Sequence, residues 1–312
     1  MNRHLLLGGS LILLLLAACH RHAAPVISPD GVAARPTDTI PFILTDHNNL
    51  ALTAVLNGVD TVTLMLHTAA DAVTLIRERA ETLTSLHFGG ADTVQSWGGE
   101  SAASYSTGNR LRIGADEWTD LTIWENENSG PGTDGKCGPN LWAGRIIEID
   151  FDHRQLLIHD ELPEKVFGDD YLEMPLIKKN GFLFLEGSST FGTDTVTVPF
   201  LLHTGYGGAL LYDDETAARY NLGERLPIVS EQNLQDSYGN VLTVRKALLP
   251  HFRLGEAELE AVPVGFFSGA IGRQPMSVLG GAIVKRFNWV LDIERGRVFL
   301  RANGLAGAPF EG

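Results

Sequence analysis

The segment Leu64-Met65-Leu66-His67-Thr68-Ala69-Ala70-Asp71 occurs a second time, in altered form, as Phe200-Leu201-Leu202-His203-Thr204-Gly205-Tyr206-Gly207. His67 and His203 lie 136 residues apart. In both copies an apolar run typical of a buried strand ends in a His-Thr pair, and residues typical of a tight turn follow. A strand end of this kind holds polar side chains rigidly and exposes them, so we expect a binding or catalytic centre here.

A second pair of segments repeats in the same order. Residues 145–158 and 287–300 both read as a strand, an aspartate, a short basic turn and another strand. The two aspartates, Asp150 and Asp292, lie 142 residues apart and are expected to stabilise those turns. Two elements that recur at nearly one offset indicate two homologous lobes of about 130 residues each, which is a usual size for a domain.

Turn signals between short apolar runs indicate a mainly β chain. Asn57-Gly58 separates two strand-like runs and predicts a hairpin that leads into His67. Short helices are expected over residues 70–85 and 213–220. The other segments read as short strands joined by Gly- or Pro-containing turns, which favours an all-β fold with few short helices.

Over residues 40–303 the chain resembles the two-lobed aspartic peptidases and their retropepsin-like bacterial relatives. The resemblance rests on the two His-Thr turns, on Val278-Leu279-Gly280 with its weaker counterpart Lys136-Cys137-Gly138, and on the closing strand that contains Asp292. It implies two homologous retropepsin-like β-barrel lobes related by a pseudo-twofold axis, in a pepsin-like bilobal architecture. The implied boundaries are an N-terminal lobe over 40–161, a connection over 162–173, a C-terminal lobe over 174–303 and a tail over 304–312.

The chain departs from this family at its centre. The family carries Asp-Thr-Gly in each lobe, whereas here both Asp positions hold histidine, His67 and His203, and Ala69 replaces the first glycine, while Gly205 keeps the second. In the family two carboxylates share one proton and hold the attacking water. A histidine pair has charge 0 or +1 instead of −1. The threonines that follow, Thr68 and Thr204, imply that the bonding between the lobes is kept.

Four interpretations of the histidine pair remain open, and so does the question of whether the protein is an enzyme. The first is a pseudo-peptidase that binds a peptide or a cell-envelope polymer without cutting it. The second is a metal site for zinc or another divalent transition metal, which needs a third ligand beside His67 and His203. Candidates for that third ligand are Asp71, His87 and His251.

The third interpretation is a hydrolase in which histidine acts as the base, with Cys137 as a conceivable nucleophile. The fourth is a purely structural junction in which both histidines are hydrogen-bonded.

Two hairpin tips are candidate flaps. In the resembled family a β-hairpin covers the substrate cleft at this position, and aromatic rings beside tip glycines suit such a cover. An ordinary surface hairpin is the alternative. The candidate flap and cleft residues are Trp97, Gly98, Gly99, Tyr105, Tyr238 and Gly239.

The N-terminus reads as a targeting segment. Residues 1–18 have a basic start and an apolar run, and Leu16-Ala17-Ala18-Cys19 matches the bacterial signal for acylation of Cys19, for example with palmitate. The expected location is the bacterial cell envelope, on a lipid anchor. His20 after the cysteine favours the outer membrane. Residues 19–39 read as a tether.

Composition limits the partners. The net charge is −14, and no basic cluster is interleaved with aromatic residues, which excludes nucleic acid as a partner. Cys19 and Cys137 are the two cysteines, so acylation of Cys19 leaves no intramolecular disulfide. The expected partners are a peptide or envelope polymer and, through the lipid, a membrane, and the expected state is a monomer.

Overall fold

The computed structural model describes residues 35–96, 99–235, 241–267 and 274–310. Within these ranges the chain forms 21 strands and four short α-helices. The strands of the N-terminal half are β1 (Asp38–Leu44), β2 (Leu50–Leu56), β3 (Asp60–Leu66), β4 (Val73–Ile76), β5 (Gly90–Ser96), β6 (Gly99–Ile113), β7 (Asp116–Asn126), β8 (Gly135–Cys137), β9 (Ile146–Asp150) and β10 (Gln155–His159).

The strands of the C-terminal half are β11 (Leu172–Pro175), β12 (Ile177–Lys179), β13 (Phe182–Phe191), β14 (Asp194–His203), β15 (Leu210–Leu211), β16 (Ile228–Gln235), β17 (Val241–Leu254), β18 (Ala257–Phe267), β19 (Ser277–Gly280), β20 (Phe287–Asp292) and β21 (Arg297–Ala302). The α-helices are α1 (Arg77–Ala80), α2 (Asp214–Arg219), α3 (Leu222–Arg225) and α4 (Gly281–Val284), and 3-10 helices cover Pro139–Trp142 and Glu164–Phe167.

The N-terminal half closes into a six-stranded barrel. Its strands follow the ring order β2, β3, β8, β4, β7 and β6, and pairing of β6 with β2 closes the ring. The β3–β8 and β4–β7 pairs are parallel and the other pairs are antiparallel. Strand β5 is added to the outside of β6 as a free edge.

The C-terminal half repeats this ring strand for strand. The order is β13, β14, β19, β15, β18 and β17, and the β13–β17 pair closes it. The β14–β19 and β15–β18 pairs are parallel, as at the equivalent places in the first barrel, and β16 is the added edge strand. Equal ring order and equal strand directions make the two barrels structural repeats, so the fold class predicted from the sequence is confirmed.

A sheet shared by both halves joins the barrels. Its order is β11, β21, β20, β9, β10 and β1, and β1 continues into the first barrel through β2. The central pair is β9 with β20, in which Trp289 lies opposite Ile149. Asp150 accepts the His153 N–H and Asp292 accepts the Arg295 N–H, each from the turn that follows, as predicted. The predicted lobe boundaries remain predictions.

The local sequence explains the turns and one of the two predicted helices. Asn57 and Gly58 both have positive φ, as the predicted Asn-Gly hairpin requires. Helix α2 lies where a helix was predicted and begins at Asp213, whose carboxylate accepts the Thr216 N–H. The helix expected over 70–85 is largely wrong, because Val73–Ile76 pairs with β7 and β8 as strand β4 and only α1 is helical.

The end of the described chain is packed onto the second half. The buried Arg286 guanidinium donates to the carbonyls of Leu305, Ala306 and Ala308, and lies 3.7 Å from the centre of the Phe310 ring. None of the helices in the described part of the chain is long and apolar enough to cross a membrane. The predicted signal peptide, Cys19 and the tether up to residue 34 lie outside the described residues.

Candidate functional site

The two His-Thr turns meet at the junction of the barrels. His67 directly follows β3 and His203 is the last residue of β14, so equivalent strands deliver both rings. The ring centres are 4.5 Å apart and the ring planes are inclined at 59°. Both side chains are partly buried. The structure therefore brings together the two residues on which the sequence analysis centred.

Thr68 and Thr204 bind each other's main chain across the junction. The Thr68 hydroxyl donates to the Leu202 carbonyl at 2.5 Å, and the Thr204 hydroxyl donates to the Leu66 carbonyl at 2.6 Å. Each hydroxyl also accepts the main-chain N–H of the other threonine, at 3.0 and 3.1 Å. Both threonines are buried. This reciprocal set of four hydrogen bonds fixes the carbonyls that immediately precede the two histidines.

Hydrogen bonds from the main chain determine which nitrogen of each ring carries hydrogen. The Ala69 N–H donates to Nδ1 of His67 at 3.2 Å, and the Tyr206 N–H donates to Nδ1 of His203 at 2.9 Å. A nitrogen that accepts an N–H uses its lone pair and carries no hydrogen itself. The hydrogen of each neutral ring is therefore on Nε2.

Gly205 is the residue against which the His67 ring lies. A Cβ added to Gly205 would stand 2.2 Å from Cδ2 and 2.4 Å from Nε2 of His67, inside any allowed contact distance. The equivalent residue of the first turn is Ala69, which carries a Cβ. The two halves of the site are thus not identical: one turn has a cradle for the opposite ring and the other does not.

Burial keeps both histidines neutral. Burial lowers the pKa of His67 well below its usual range, and the neighbouring His203 and Lys136 lower this pKa further. Burial also lowers the pKa of His203, to about 4; a hydrogen bond with its own main chain partly opposes this, and Lys136 adds a smaller lowering. Lys136 lies on β8, the strand beside β3. The centre therefore combines two neutral imidazoles with a nearby ammonium group.

The loop between β1 and β2 also fixes the turn that carries His203. The sequence analysis did not predict these contacts. Nδ2 of Asn48 donates to the Gly207 carbonyl and Nδ2 of Asn49 donates to the Thr204 carbonyl, both at 2.8 Å. Asn48 has a φ of 60° in this turn, and Asn180 has a φ of 52° in the turn before β13. A left-handed asparagine at the same place in both halves was a repeat signal that the sequence could have provided.

The candidate third metal ligands do not join the pair. In the described ranges no group of three or more His, Cys, Asp or Glu side chains is placed to hold a metal ion. Asp71 and His87 are exposed, and His251 lies on β17 opposite Glu260. Val244 belongs to a buried cluster against which Tyr206, of the turn that carries His203, is packed. His251 lies seven residues further along the same strand, which spans about 23 Å.

Cys137 is placed as a structural residue. Its side chain is fully buried in the core, and burial raises the pKa of its thiol to about 12. Its main-chain carbonyl accepts the N–H of His67 at 2.9 Å. The cysteine thus positions the histidine turn through its backbone.

The predicted flap tips are only partly described. Trp97, Gly98, Tyr238 and Gly239 lie outside the described residues. Gly99 begins β6 opposite Ser96, and β5–β6 and β16–β17 form an extended hairpin in each half. Tyr105 packs on Trp124 with ring centres 5.0 Å apart, and its ring also covers Gly90.

The fold defined by these two barrels and their shared sheet is that of the pepsin-like aspartic proteinases. The chain is similar to the crystal structure of an aspartic proteinase from Irpex lacteus, with a TM-score of 0.57 and 12% sequence identity, over 88% of this chain and 99% of that chain. At that identity the likeness shows the fold alone. No protein-family model and no curated protein sequence matches the chain.

Proposed function

We propose that this protein is a non-catalytic pseudo-peptidase that binds a peptide or a cell-envelope polymer between its lobes. In this proposal His67 and His203 stand at the positions of the two catalytic aspartates of the aspartic peptidases. The shared fold and the position of both histidines at the ends of equivalent strands support this assignment. The reciprocal threonine bonds hold the two turns together without the carboxylates, which supports a junction kept for binding.

The hydrogen bonds at Nδ1 are the observation that carries the proposal. A general base must offer a free lone pair to the water proton. In both rings the Nδ1 lone pair accepts a main-chain N–H and Nε2 bears the hydrogen, so neither ring offers one. Protonation of either ring would direct an Nδ1 hydrogen at the same N–H group. In this proposal the pair stays neutral and provides no base, so the family's way of activating water is lost.

The same geometry weakens the metal alternative. A metal ion binds imidazole through a free lone pair on nitrogen. Binding at Nε2 would require moving the hydrogen to Nδ1, where the main-chain N–H already points. No third ligand is grouped with the pair among the described residues. The Cys137 alternative requires a thiolate, which burial of that side chain disfavours.

Proteolysis of unfolded casein tests the proposal. We expect no cleavage by the purified protein from acid to neutral pH and no effect of pepstatin, together with saturable binding to members of a peptide library. Cleavage that disappears in a His67→Ala variant would refute the proposal and favour a histidine-based peptidase. Metal content after purification without a histidine tag, compared between wild type and His203→Ala, separates the metal-binding alternative.

The location is proposed from the N-terminal segment alone. We expect the mature protein to begin at an acylated Cys19 and to be a monomer tethered to the outer membrane of a bacterial cell envelope. Mass spectrometry of the mature N-terminus, with Cys19→Ser as the control, tests the anchor. An unmodified N-terminus would contradict it.

A further inference from the structure

We propose that the His67–His203 pair is a carboxylate-binding site, so that the peptide bound between the lobes presents a carboxylate to the two rings. This inference rests on the proposed function, because it names the chemical class of ligand that the same cleft takes. The aspartic peptidases have acidic groups at this place, so the proposal reverses the polarity of the centre.

The two rings present hydrogen-bond donors at the junction. With Nδ1 of each ring occupied by a main-chain N–H, the remaining nitrogen is an Nε2–H in both. Neither Nε2 has a hydrogen-bond partner within the described ranges 35–96, 99–235, 241–267 and 274–310. The ring centres are 4.5 Å apart, so both donors belong to one small site. A carboxylate is a pure acceptor with two oxygens and matches two neighbouring donors.

The local charge favours an anion. Lys136 lies on β8 next to β3, and its charge acts on the pKa of both histidines. Carboxylates do not contribute to the shifted pKa of either ring. The protein as a whole has a net charge of −14. A donor pair beside an ammonium group is therefore a local exception in an acidic protein, and a hydrogen bond to a charged acceptor is stronger than one to a neutral acceptor.

The donors are already oriented before a ligand binds. The main-chain bonds at Nδ1 fix the rotation of both rings, and contact with Gly205 fixes the position of His67. The reciprocal bonds of Thr68 and Thr204 fix the main chain from which the rings project. A preorganised site spends little free energy on ordering its own groups, and this raises its affinity for a matching ligand.

Water or a neutral peptide carbonyl could accept the same hydrogen bonds, so the experiment must isolate charge. The probe is an array of acetylated hexapeptide amides of mixed sequence, made in matched pairs with Glu or Gln at each position. A second set carries a free C-terminal carboxylate in place of the amide. The two sets separate a side-chain carboxylate from a chain terminus as the source of the anion. Titration with acetate, followed by NMR of the imidazole nitrogens, tests the site without any peptide.

We expect the carboxylate member of the binding pairs to bind at least about tenfold more tightly than its neutral partner. This preference should fall to less than about threefold in His203→Asn, whose Oδ1 can still accept the Tyr206 N–H, and in Lys136→Met. It should be unchanged in His251→Asn, on the distant part of β17. Acetate should shift the Nε2 resonances of both histidines in a saturable manner.

Equal binding of the carboxylate and neutral peptides would overturn the carboxylate site and leave the peptide-binding function standing. Absence of any peptide binding together with a saturable acetate shift would overturn the peptide-binding function and leave the carboxylate site standing. Absence of both would overturn both.

Discussion

Acid should destabilise the folded protein through the histidine pair. His203 has a pKa of 6.5 in the unfolded chain and about 4 when folded, so the unfolded chain binds more protons as the pH falls, and stability is lost. One pKa unit is worth about 1.4 kcal/mol. Moving from about pH 7 to about pH 5 should therefore lower the free energy of unfolding by about 2 kcal/mol through His203 alone. His67 acts in the same direction. Because the rings keep some solvent contact, about 1 kcal/mol is the smallest loss expected.

Urea unfolding at a series of pH values measures this loss, and His203→Asn is the variant that removes the titrating ring. The variant should lose about 1–2 kcal/mol less than wild type over the same pH range. His153→Asn is a control that removes a histidine whose pKa is shifted in the opposite direction. The hydrogen bond to Asp150 raises the pKa of the exposed His153, so its protonated form stabilises the fold in acid, and this contribution disappears as the pH rises through the folded pKa.

The two carboxylates whose pKa is lowered, Asp60 and Asp152, act in a lower pH range and do not interfere with this measurement. A hydrogen bond from Ser85 lowers the pKa of Asp60, and one from the Gly304 N–H lowers that of Asp152. Their contributions are present above the ordinary carboxyl pKa of about 3.9 and are lost only as the pH falls below it. Equal pH slopes for wild type and His203→Asn between about pH 7 and about pH 5 would show that the rings are not held neutral, and would remove the basis of the proposed function.

Three substitutions test the other contacts at the junction and the C-terminus. Gly205→Ala should displace the His67 ring and cost about 1–3 kcal/mol in chemical unfolding. Gly89→Ala, which meets no atom within 4 Å, should cost far less. Equal losses in the two variants would contradict the close contact between Gly205 and the His67 ring. Thr204→Val leaves a buried carbonyl and a buried N–H without partners, and should cost about 2–4 kcal/mol, while Thr204→Ser should recover most of the loss. Arg286→Met should free the last described residues, seen as faster amide exchange after residue 304 with little change in the barrels; unchanged exchange would mean that the guanidinium contacts do not hold this segment.

The sequence predicted those parts of the fold that depend on neighbouring residues and on repetition. The Asn57-Gly58 hairpin, helix α2 and the duplicated strand ends follow from local patterns, and the structure has all three. The strand β4 was missed because Val73–Ile76 becomes a strand only by pairing with β7 and β8, which lie about 50 and 60 residues away along the chain.

The candidate site was predictable in its members but not in its chemistry. The repeat identified His67 and His203, whereas the state of each ring depends on a single N–H at Ala69 or Tyr206 whose direction the sequence does not encode locally. The contacts of Asn48 and Asn49 cross between the halves, 159 and 155 residues along the chain, and so lie beyond any periodic pattern. Lys136 was noted only as part of a weak glycine motif.

The shared sheet has a consequence for the order in which the protein folds. All strands of the first barrel lie between residues 50 and 137, so this barrel can close before the strands of the second half are available. Strand β9 cannot complete the shared sheet until β20 is available, since Ile149 pairs with Trp289 about 140 residues later. Contacts of such long sequence separation form slowly. A chain in which only the first barrel has closed therefore carries a solitary imidazole, and the paired centre arises only when the second half folds.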